Sequence, residues 1–175
     1  MENQITAVYV DETMYASGGK RFANLLLDFV VQLVLGFLLG LFASLLYLAF
    51  GIDGPAIWIA EMGTLEERFL GVVILIVYYG LIESLTSRSI GKYITGTKVV
   101  MYDGSKPDAG TILLRTICRI IPFEAFSFLG SKARGWHDSL SKTYVIDVKK
   151  YEHAVMMKQS FEQIGQEETT ELNNY

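Results

Sequence analysis

Phe29 to Phe50 is a run of 22 residues without a formal charge. About 20 such residues in a helix cross the ~30 Å hydrocarbon core of a bilayer, so the run reads as a membrane span. The residues before it, ENQITAVYVDETMYASGG, are too many and too acidic for the basic leader of a signal peptide, and the run is too long for that peptide's apolar stretch. The span is therefore expected to stay in the mature chain.

A second apolar segment, FLGVVILIVYYGLIESLTS from Phe69 to Ser87, spans if Glu83 lies at its far end. Tyr78 and Tyr79 sit too deep in it for an interfacial belt and are expected to pack against the first span. A composition of 51% hydrophobic and 19% charged residues fits a small polytopic protein. The net charge of -4 conceals an asymmetry. Residues 51–68 carry Asp53, Glu61, Glu66 and Glu67 against Arg68, whereas residues 88–150 carry eleven of the fifteen Lys and Arg. That bias puts the basic region and both termini in the cytoplasm and the acidic loop outside. Cys118 is the single cysteine, which excludes an internal disulfide and leaves a small packing residue.

The third apolar segment, residues 108–130, makes a poor span because Arg115 and Arg119 share one face and Pro122 interrupts it. The flanking stretches TKVVMYDGSKP and SKTYVIDV both read as strands. If they pair, both ends of the third segment lie on one side of the membrane. The expected fold is an α-helical membrane protein: a two-helix transmembrane hairpin, a re-entrant or interfacial third helix with arginines snorkelling to the headgroups, and a short cytoplasmic β-hairpin-like cap. Three transmembrane helices are the alternative. The domains are read as an N-terminal tail over 1–14, a membrane domain over 15–148 and an acidic tail over 149–175, whose last ten residues are expected to be disordered.

Asn24, Asp28, Gln32, Gly36, Gly40 and Ser44 recur at every fourth position, and Arg21 extends the ridge they form. Its small residues are read as a helix-packing face. Its polar residues must face protein or water. Either Asp28 is neutralised by a structural partner such as Arg115 or Arg119, or Asp28, Asn24 and Gln32 act with Glu83 on an ion or proton path. The topology further predicts an ion pair between Arg21 and Asp138. Gly91 is read as a left-handed cap ending the second helix. The basic face around Arg88, Lys92, Lys98 and Lys106 is read as a contact with anionic lipid headgroups. His137 beside Asp138 reads as a polar turn before a strand, since the other histidine, His153, lies in the tail and no nucleophile elbow exists. GK at 91–92 is no phosphate loop, because Tyr93 replaces the needed hydroxyl residue.

Three blocks together carry a family resemblance: KRFANLLLDF with Arg21 and Asp28, SIGKYITGTKVVMYDG with Gly91, Lys92 and Gly96, and WHDSLSKTYVIDV with His137 and Asp138. Over residues 15–148 the chain resembles the RDD family of small bacterial membrane proteins. The resemblance implies an integral protein of the bacterial inner membrane, with sodium or proton exchange suggested for some members. Two functions follow as expectations. One is a non-enzymatic contribution to cation or proton movement, as a homo-oligomer, because two spans enclose no pathway alone. The other is a scaffold or regulator of a partner membrane protein, such as a protease, through the C-terminal tail. No cofactor, metal, catalytic residue or nucleic acid partner is expected.

Overall fold

The computed structural model describes residues 8–121, 124, 127 and 134–172, with side chains as far as Ile164. Helix α1, Gly18–Phe50, starts where the Ser17 hydroxyl accepts the Lys20 amide and ends at Gly51, whose φ of 69° only glycine adopts freely. A short α2, Gly54–Ala60, has proline in its first turn and turns the chain back toward α3, Thr64–Thr86. The Glu66 carboxylate closes the start of α3 by accepting the Gly63 amide at 2.8 Å. These are the two helices among the described residues long and apolar enough to cross a membrane. Leu48 is 77% and Phe42 60% exposed, which rules out the core helix of a water-soluble fold and fits a lipid-facing one.

Ser87 ends α3, not Gly91: Ser87 takes a φ of 58° and donates its amide to Glu83 O at 2.7 Å. Gly91 instead lies inside α4, Ile90–Thr95, which Ser89 caps and Gly96 terminates. The chain then enters β1, Thr97–Val100, paired antiparallel with β2, Tyr144–Asp147, with Thr97 opposite Asp147 and Val100 opposite Tyr144. The two strands read from the sequence therefore do pair. Tyr15 adds a bridge to Ile146 on the other edge of β2. Val8, Val10 and Met14 bury against Val100 and Ile146, so the chain before α1 is part of this small apolar core.

Between the strands lie α5, Ala109–Cys118, and α6, Trp136–Leu140. At ~1.5 Å per residue the ten residues of α5 cover ~15 Å, half a bilayer core. α5 itself makes no third span; Pro122 and most of the segment after it lie outside the described residues. Its Arg115 does not snorkel outward, because the side chain is fully buried. His137 and Asp138 lie in α6, a single helical turn shortly before β2, where the sequence reading placed a polar turn before a strand. After β2 the chain passes directly into α7, Val148–Leu172. Of the last ten residues, expected to be disordered, those up to Leu172 continue the helix, and residues 173–175 lie outside the described residues. Tyr151, Ala154 and Val155 on its first turns pack onto the core of Val8, Val10 and Met14.

Candidate functional site

The polar residues of both long helices meet the cap in one buried cluster. Asp28 reaches it one turn along α1 from Asn24 and is 1% exposed. Its carboxylate accepts four hydrogen bonds, from Tyr78 Oη at 2.7 Å and the Gly91 amide at 2.8 Å on one oxygen, and from Ser89 Oγ at 2.6 Å and Tyr79 Oη at 3.1 Å on the other. Every donor is neutral. The expected pairing of Asp28 with Arg115 or Arg119 is therefore not formed. Adjacent tyrosines in the second half of α3, the Ser89 cap and the first turn of α4 bring four donors within reach, and four donors saturate a carboxylate. Gly91 is required here, since a Cβ on it would lie 2.8 Å from Asn24 O. Asn24 fastens the same corner through the Thr95 and Thr97 hydroxyls, at 2.5 and 3.0 Å.

The arginines pair elsewhere. Asp138 in α6 binds the Arg21 guanidinium on one carboxylate oxygen and that of Arg115 on the other, so the ion pair expected between Arg21 and Asp138 is present. The Gly135 amide adds a hydrogen bond at 3.0 Å. Arg115 also donates to Thr143 Oγ1 at 2.6 Å. Glu83, near the end of α3, faces three cations: Lys92 Nζ at 2.5 Å, Arg119 Nη2 at 3.3 Å and Arg115 Nε at 3.4 Å. Arg119 lies over the Tyr79 ring, 3.9 Å from its centroid. His137 directs Nδ1 at Glu124 Oε1 and Nε2 at Asp138 Oδ1.

Arg21, Asn24, Asp28, Glu83, Arg115, Arg119, His137 and Asp138 thus come together, as eight of the twelve residues singled out from the sequence. Gln32, Gly36, Gly40 and Ser44 do not. Gln32 and Gly36 line an apolar groove of about 510 Å³ between α1 and α3, and the Gln32 amide has no hydrogen-bond partner among the described residues. Gly40 has open space where a Cβ would stand, and Ser44 Oγ donates back to Gly40 O. Their side of α1 faces α2 across a second groove and makes no tight seam with α3. Lys92 is a correction of the opposite kind. It is 3% exposed and holds Glu83, so it cannot reach lipid headgroups.

Sequence reasoning also missed Ser89, Glu124 and Thr143. The spacing of Ser89 before Lys92 carried a helix-cap signal, but nothing local tied Glu124 to His137 or Thr143 to Arg115.

The charges balance and hold one another ionised. Burial by itself would raise the Asp138 carboxyl, but Arg115, His137 and Arg21 keep it well below the ordinary aspartate range. Burial pulls Lys92 down to about 8 against the opposing pull of Glu83. Burial likewise lowers His137, with Arg115 and Arg119 adding to the effect against Asp138. Among the described residues no group of three His, Cys, Asp or Glu side chains is arranged to hold a metal ion. The arrangement acts as a clamp: α1, α3, α4, α5 and α6 each contribute a charged or hydrogen-bonding group that the others satisfy.

The family model of the RDD family matches residues 15–142, which span the clamp from Arg21 to Asp138. The chain belongs to the RDD family. Neither a curated protein nor a solved structure matches it. With its two long apolar helices, this RDD family chain is a membrane protein.

Proposed function

We propose that this RDD family protein is a non-enzymatic adaptor of the bacterial cytoplasmic membrane, with cap and termini on the cytoplasmic side, and that it holds α7 out to a partner membrane protein. The observation carrying this reading is the far half of α7. Met157, Phe161 and Ile164 repeat at helical spacing and are 46, 68 and 60% exposed. At ~100° per residue they form a stripe roughly 130° around the helix from the packed face of Tyr151 and Val155. Such a stripe on a helix anchored at its base is a docking surface of the helix-in-groove kind. Glu167, Glu168 and Glu171 follow it, which favours a groove with a basic rim over an anionic lipid surface. Tethering at the membrane raises the effective concentration of the arm for a neighbour in the same bilayer.

A photo-crosslinking residue at Phe161, compared with one at Gln159 on the opposite face, tests the reading in native membranes. A discrete adduct from position 161 and none from 159 supports it. Equal labelling at both, or none at either, overturns it.

A second reading, cation or proton movement by an oligomer, is favoured by the buried carboxylates Asp28, Glu83 and Asp138 and by the Gln32 amide, unpaired among the described residues, in an apolar groove. Ion-driven pH changes in vesicles of purified protein test it. The reading fails if wild-type protein moves no ions. It fails equally if Asp28→Asn protein with intact thermal stability moves them at the wild-type rate.

A further inference from the structure

At the centre of the clamp is a cavity of about 30 Å³ with Arg21, Asp28, Lys92, Arg115, Arg119 and His137 in its wall. Two of these residues bring buried nitrogen atoms that have no hydrogen-bond partner among the described residues, Arg115 Nη2 and Arg119 Nε. The Arg115 side chain is 0% exposed, so bulk water does not satisfy it. Leaving such donors unmet is costly, and what meets a donor is an acceptor. At about 30 Å³ the space clears the ~10–15 Å³ that one water-sized occupant needs and is small for a polyatomic anion.

We infer that this cavity binds one halide-sized monovalent anion, held by the free N–H groups of Arg115 and Arg119 and admitted together with a proton on His137.

Two arguments separate the anion from a water molecule. A water would bring two hydrogens that need acceptors, yet each Asp28 oxygen already accepts two donors. Glu124 Oε1 already faces Ser127 Oγ, the His137 amide and the His137 ring. Among the described residues the unpartnered donor atoms of Arg115 and Arg119 outnumber the one unpartnered acceptor beside them, Glu83 Oε2. The second argument is charge. Arg21, Lys92, Arg115 and Arg119 face Asp28, Glu83, Glu124 and Asp138, so the cluster is neutral while His137 is neutral. An anion alone would leave an uncompensated buried charge.

A proton from the aqueous phase removes that charge, and His137 is built to take it. Both ring nitrogens face carboxylate oxygens, Glu124 from the segment after α5 and Asp138 from α6, and only the imidazolium donates to both. Burial opposes protonation of the ring, and Arg115 and Arg119 of α5 add to it, with Arg21 of α1 and Lys92 of α4 completing the cations of the packed elements; the anion offsets the cations' share. Asp28 and Glu83 complete the charges of the packed elements. Anion and proton therefore enter together, in acid, and leave together above neutrality.

Thermal unfolding of the purified full chain in detergent, with sodium bromide against sodium gluconate at equal ionic strength, reads this out. At about one pH unit below the ordinary histidine value of ~6.5, bromide should raise the midpoint by about 2–4 °C, and about 1.5 units above it the difference should vanish. His137→Gln should lose the pH dependence. Independently of that variant's folding, crystals of wild-type protein grown in acid bromide should show anomalous density between Arg115 and Arg119. Equal midpoints in the two salts at acid pH, or a cavity with density but no anomalous signal, overturns the site.

Discussion

Gly91 occupies a position that admits no side chain, because a Cβ would stand 2.8 Å from Asn24 O and 2.9 Å from Asp28 Oδ1. Gly91→Ala must push α4 away from α1 and break the Gly91 amide bond to Asp28; thermal unfolding in detergent should show a loss of about 1–3 kcal/mol. Asp138 carries the opposite lesson, since it serves two arginines at once. In the charge swap Arg21→Asp with Asp138→Arg, the new arginine would face the buried Arg115 guanidinium. The double variant should therefore be no more protease-resistant than the single ones, each of which loses on the order of 3 kcal/mol. Lys92 gives a pH signature. Its folded value of about 8 lies below the ordinary lysine value of ~10.4, so between the two the unfolded chain binds more protons and stability rises with pH. The unfolding midpoint should climb across that window in the wild type and stay flatter in Lys92→Met, where Arg115 and Arg119 still face Glu83.

The three long helices α1, α3 and α7 are each held at one end and looser at the other. α7 rests on the apolar core through Tyr151, Ala154 and Val155, while Met156, Met157, Phe161 and Ile164 touch little of the rest of the molecule. Deleting residues 159–172 should thus change the stability by less than about 0.5 kcal/mol, whereas Tyr151→Ala should lower it by about 1–2 kcal/mol through lost apolar burial. Calorimetry of the two variants separates these outcomes. The long helices show the same division. Toward the cap α1 and α3 are locked through Asp28 and Tyr78, but farther along the grooves of Gly36 and Gly40 leave them loosely joined.

At the scale of the molecule, an apolar helical pair with internally satisfied backbones carries a cap whose cohesion is ionic and hydrogen-bonded. The two parts should fail separately. Cys118, the single cysteine, is 6% exposed and sits on α5 one turn from Arg115, so its thiol reports on opening of the cap. Arg115→Met leaves Asp138 and Glu83 short of a partner. A loss on the order of 3 kcal/mol corresponds to about 100-fold faster maleimide labelling of Cys118, with helicity by circular dichroism unchanged.

The sequence by itself determined the two long helices and the strand pair, because run length, turn residues and strand alternation are local properties that a bilayer and a hydrogen-bond ladder read directly. It also determined that Arg21 and Asp138 meet, since both lie at the same end of the topology. Only the tertiary structure decided which donor each buried charge takes. Asp28 lies beside four neutral donors from α3, the loop after it and α4, so it needs no arginine, and Arg115 turns to Asp138 and Glu83. Lys92 turns inward although its neighbours in sequence read as a basic surface, because Glu83 is buried within 2.5 Å of it. α7 continues past the point where composition suggested disorder, because its first turns have a core to rest on. Partner choice among buried charges depends on which side chains arrive within ~3 Å after packing, and spacing along one chain does not encode that distance.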